Sequence, residues 1–162
     1  MESCIRRLSS ILTSLNFAGN RLRIVCRNTV NRPLLLFFPQ KSLQGQVTMR
    51  VTSMGNTLMH EMKSSERPDD PISMFHLDGD RLLMTHYCNA GNQPRMVGTV
   101  STDGKTIAFD FLNATNLLSS QEGHMQHVVF TLIDSDHHTE LWQFATADGK
   151  KMGGLLDLHR TK

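Results

Sequence analysis

The chain has 162 residues, of which 39% are hydrophobic and 20% charged, and its formal net charge is +2. That length suits one domain with a real core, and the composition excludes both a disordered chain and a membrane-embedded one. The charge is uneven: residues 1–50 carry eight Lys/Arg against Glu2 alone, while residues 51–162 carry nine against fourteen Asp/Glu. All eight histidines lie after residue 59. The small positive total is an average of two unlike segments, and no nucleic-acid partner is expected from it.

Residues 1–45 read as a basic N-terminal extension, irregular or with one short helix. Cys4 to Leu15 holds Arg6 and Arg7 followed by Leu8, Ile11, Leu12 and Leu15, an amphipathic spacing. Rich in Arg and Ser and nearly free of acid, the segment has the composition of an organellar transit peptide; an unfolded extension or a translation start placed too early fits as well. Leu22 to Val25 and Leu34 to Phe38 are short apolar pieces, the first a candidate strand. No run approaches the roughly 20 apolar residues of a spanning helix, so no membrane span is expected. Cys4, Cys26 and Cys88 are odd in number and lack CxxC spacing, against a disulfide framework or a structural zinc site and in favour of a reducing, cytoplasmic setting.

From residue 46 to 162 the pattern is uniformly β. Gln46 to Met54 alternates Val47, Met49 and Val51 with Thr48, Arg50 and Thr52, and Thr57 to Lys63 alternates again after a turn at Gly55-Asn56. Ser64 to Pro71 is a charged loop. Met74 begins a hairpin that turns at Leu77-Asp78-Gly79-Asp80 and returns as Arg81 to Cys88. A polar loop, Asn89 to Gln93, follows and is closed by Pro94 and Arg95. Further strands are expected at Arg95 to Ser101, Lys105 to Leu112, His124 to Ile133, His138 to Thr146 and Lys150 to His159. Asn113 to Gly123 is a longer connection with room for one helical turn, and His137-His138 falls in an exposed turn. Three Asp-Gly turns, at Asp78, Asp103 and Asp148, supply the positive φ angles that tight hairpins need. Short strands at steady spacing with such turns describe an all-β, antiparallel up-and-down meander that closes as a barrel.

The runs Phe75 to Leu82, Leu83-Met84-Thr85-His86-Tyr87-Cys88, Gly91-Asn92-Gln93-Pro94-Arg95-Met96 and Gly123-His124-Met125, with the closing strands around Trp142, resemble a group of bacterial proteins of unknown function. The resemblance covers about residues 47–162 and implies a lipocalin-like (calycin) barrel around an interior cavity, with no established reaction. Such proteins begin with a Gly-x-Trp strand just before the equivalent of Gln46. This chain has no Trp there, so either residues 1–45 supply that strand or the sheet keeps an open edge.

On a strand ending at Cys88, Leu82, Met84, His86 and Cys88 share one face and Leu83, Thr85 and Tyr87 the other. If the Met84 face is interior, His86 and Cys88 reach the cavity mouth beside Asn92 and Gln93, the mixture of apolar walls and few polar groups that small-ligand sites use. Arg95 suits an anionic group, or else an internal ion pair. His124 and His127, three apart, lie on opposite faces of a regular strand and meet only across a bulge. Most of the ten methionines read as core filler, a role that also suits an adaptable cavity. No catalytic motif or phosphate loop occurs, and no cofactor is specified. The leading reading is a noncatalytic barrel that binds a small, partly apolar ligand through His86, Tyr87, Cys88, Asn92, Gln93, Arg95 and His124. One rival is a haem or metal barrel ligated by His86 or His124, with Cys88 as a further donor. The other is an interaction module that pairs through an open sheet edge.

Overall fold

The computed structural model describes residues 22–26, 45–64, 70–119 and 122–161. Among the described residues, ten antiparallel strands form one ring: β1 (Leu22–Cys26), β2 (Gly45–Thr52), β3 (Thr57–Ser64), β4 (Ile72–Asp78), β5 (Arg81–Tyr87), β6 (Gln93–Val100), β7 (Thr106–Thr115), β8 (His124–Leu132), β9 (His137–Ala145) and β10 (Lys151–Thr161). From β2 to β10 each strand pairs with the next in the chain, as the alternating pattern and short turns require. The all-β, up-and-down barrel expected from the sequence is what forms. The expected irregular or helical segments in the remainder of residues 1–45 lie outside the described residues.

Closure is the work of β1. Ile24 pairs with both Val47 of β2 and Arg160 of β10, and its neighbours do the same along the strand. Contact with β10 is limited to Leu158–Thr161, so among the described residues Lys151–Asp157 pair only with β9. A short strand thus fills the position where no Gly-x-Trp strand was found, and it closes the ring over one end.

The three Asp-Gly turns form with positive φ at Gly79, Gly104 and Gly149. Asp78 pairs with Arg81, which makes the first a two-residue hairpin that only a residue tolerant of φ +60° starts without strain. Asp103 accepts from Ser101 Oγ at 2.6 Å and the Lys105 amide at 3.0 Å, so its carboxylate braces the second turn.

Strand alternation sends Val47, Met49, Leu58, Phe75, Met84, Met96, Phe109, Val128, Phe130, Trp142 and Leu158 inward, where they pack as one cluster. Phe75, Phe109 and Phe130 meet edge to face with centroids 5.4 to 5.9 Å apart, and each such contact adds about 0.5–1.5 kcal/mol beyond its buried area. Met49, Met84 and Met96 are buried fillers as expected, whereas Met54 stands fully exposed in the turn after β2.

Two boundaries differ from the sequence expectation. The connection after Leu112 holds no helical turn among its described residues; β7 runs on to Thr115 because β6 begins at Gln93 and offers Gln93–Arg95 as partners. Leu112 is the extra residue of a bulge that keeps the longer ladder in register. His138 is not in an exposed turn: β9 starts at His137, and His138 is only 4% exposed because it shares the inward face with Glu140 and Trp142.

Candidate functional site

Met84 is fully buried and His86 only 2% exposed, so the Met84 face of β5 is the interior one. His86 Nδ1 lies 2.8 Å from Ser73 Oγ, its directly opposed residue on β4, and its ring packs 5.1 Å from that of Trp142. Burial, with the charge of His60 as a smaller contribution, pulls the imidazole down to about 4. It is therefore neutral near pH 7, a hydrogen-bonding group without charge.

The polar loop is tied to the β7–β8 connection beside it. Asn92 Nδ2 donates to the Gly123 carbonyl at 2.9 Å, and Asn116 Nδ2 donates to the Gly91 carbonyl at 2.8 Å. These bonds bring Asn92, 2% exposed, beside His124, 8% exposed. The His124 ring packs tilted against Phe111 with centroids 4.4 Å apart, and its Nδ1 is 2.9 Å from the Glu122 carbonyl oxygen. Of the seven residues proposed from the sequence, His86, Asn92 and His124 are buried at this end of the barrel. Cys88, a free thiol, and Gln93, which donates to the Gly91 carbonyl at 3.1 Å, are half-buried at its rim. Tyr87 and Arg95 are exposed on the outer face, where Arg95 Nε donates to Asn113 Oδ1 at 2.6 Å. β8 does carry a bulge between Met125 and His127, but His127 turns outward to Asp110 Oδ1 at 2.7 Å, away from His124.

The sequence reading missed a second group deeper in the ring. Glu140 is completely buried and takes three donors: His138 Nε2 at 3.0 Å, Trp142 Nε1 at 3.0 Å, and His60 Nε2 at 3.1 Å from each oxygen. Burial works to raise this carboxyl, but the charge of His60 and the hydrogen bonds from His138 and His60 outweigh it and bring it down to about 2. His60, also completely buried, is ringed by Phe75, Phe130 and Trp142 with centroids 5.8 to 6.3 Å away. Its Nδ1 has no hydrogen-bond partner, and neither does the buried Asn92 Oδ1. A sequence signal existed for part of this group, since His138, Glu140 and Trp142 stand two apart on one strand and must share a face. Nothing local announced that His60, 80 positions away, would meet them.

His86, Cys88 and His124 do not converge as metal donors. Among the described residues one triad does, His137, Asp157 and His159 on the outer face. No described helix is long and apolar enough to cross a membrane.

Neither a protein-family model nor a curated protein matches the chain. Among solved structures, it is similar to a protein of unknown function from the DUF3598 family of Nostoc punctiforme, with a TM-score of 0.55 and 14% sequence identity. The likeness is one of fold. It covers 91% of this chain and 48% of the other, so the chain spans about half the length of the protein it matches.

Proposed function

We propose that the chain is a noncatalytic, lipocalin-like binding barrel whose interior takes a small, partly apolar ligand at the end bounded by Asn92, His124 and the rim residues Cys88 and Gln93. The observation that carries this reading is the unpartnered Oδ1 of the buried Asn92 at that end, with the unpartnered Nδ1 of the buried His60 deeper in the ring. A buried polar atom left without a bond costs about 1–3 kcal/mol, which a ligand's hydrogen-bonding group would recover. Ten strands also enclose a wider interior than the eight that side chains alone fill. Neutral His86 and an ionised Glu140 already occupied by three donors favour an uncharged polar group on the ligand over an anion.

Native mass spectrometry on the purified protein, read beside the denatured mass, tests the proposal. The expected result is a noncovalent excess of roughly a few hundred daltons, the size of ligand such sites hold. His60→Leu and His86→Ala should shed that excess while still melting cooperatively. If both variants retain the wild-type excess, the interior site is wrong. A Soret band in the purified protein would instead assign the pocket to haem, with His86 or His124 as ligand.

A further inference from the structure

We propose that His137, Asp157 and His159 form a divalent-metal site on the outer face of β9 and β10, suited to zinc or a similar first-row cation and separate from the interior ligand site. Asp157 and His159 stand two apart on β10 and so share a face, and the register sets His137 of β9 directly opposite His159. All three donor atoms fall within 4.8 Å of one another. His137 Nε2 is 2.5 Å and His159 Nε2 3.6 Å from the same carboxylate oxygen, Asp157 Oδ1. Zinc bonds of about 2.0–2.2 Å put neighbouring donors roughly 3.3 Å apart in a tetrahedral site, between those two separations. Reaching that geometry takes adjustments on the order of 1 Å in these two separations.

A simple ion pair with Asp157 needs one imidazole, whereas here two are stacked, with centroids 4.0 Å apart and planes 19° from parallel, and both aim Nε2 at one oxygen. Two imidazoles and a carboxylate are a donor set that zinc favours, and three protein ligands leave a coordination position for water. Next to His159 on β10, Arg160 pairs through Nε with Asp136 at 3.2 Å. His159 also pairs through its backbone with Val25 of β1, so a bound ion would pin β9 to β10 where the ring closes.

The test is calorimetric titration of chelator-treated full-length protein with zinc, repeated with cobalt(II) to read the visible absorption of the bound ion. One saturable zinc per chain is expected. His159→Ala, at a side chain 54% exposed, and the near-isosteric Asp157→Asn should each weaken binding by at least roughly ten-fold and abolish the cobalt band. His127→Ala removes a histidine on β8 outside the triad and should bind zinc as wild type does. Absence of saturable binding, wild-type affinity in the His159 and Asp157 variants, or an equal loss in the His127 variant would overturn the proposal. Melting curves of the variants separate lost metal from lost fold.

Discussion

Glu140 concentrates the energetics of the interior in a single side chain. Three donors converge on a carboxylate with no access to water, so truncating it strands two histidines and an indole N–H. Glu140→Ala is expected to cost about 3–5 kcal/mol in urea unfolding, as for other broken buried pairs. Adding His60→Leu to that variant should cost far less than the sum of the two single changes, because the partners act as one network. His86 makes a different demand. Its imidazole titrates near 6.5 when unfolded and about 4 when folded, so its contribution is fully present above pH 6.5 and is lost as pH falls through 4. The shift corresponds to a loss on the order of 3 kcal/mol. Denaturant midpoints between pH 7 and pH 4 should show this slope in the wild type and lose most of it in His86→Gln.

Two bulges and one anchored loop shape the end of the barrel where the sheet alone would not. The bulge at Leu112 lets β7 run far enough to pair with Gln93–Arg95, and the polar loop before Gln93 is then fastened to Gly123 by Asn92. Gly123 has no room for a side chain: a Cβ there would lie 2.7 Å from the ring of Phe144 and 3.2 Å from the Ala145 carbonyl oxygen. Gly123→Ala should destabilise by about 1–3 kcal/mol, as overpacked sites do. It should also raise hydrogen exchange across residues 89–93 by loosening the Asn92 anchor. Protection equal to wild type would show that the loop holds its shape without that anchor.

At the scale of the whole molecule, five residues close a ten-stranded ring. Ile24→Pro removes the strand's central amide donor between β2 and β10, and proline is poorly tolerated between two paired neighbours. This variant should melt at lower temperature and associate in a concentration-dependent way, since opening the ring exposes two strand edges. Sedimentation that stays monomeric across concentrations would show that other segments cover those edges.

The all-β class, the three Asp-Gly hairpins and the inward faces of most strands were legible from residues 46–161, because a tight turn's φ angles and a strand's alternation are local properties. The interior placement of His86 followed from the same alternation once Met84 was taken as core; the alternation also set Tyr87 on the other face, which the inclusion of Tyr87 among the ligand residues overlooked. Long-range meetings were not legible. His60 reaches Glu140, and His159 stacks on His137, only because a particular register and a closed ring set distant strands side by side. Burial then decided chemistry that residue type leaves open. The same imidazole is a half-buried partner of the exposed Asp110 at His127 and a neutral interior group at His86, because one keeps contact with water beside a carboxylate and the other has been removed from water.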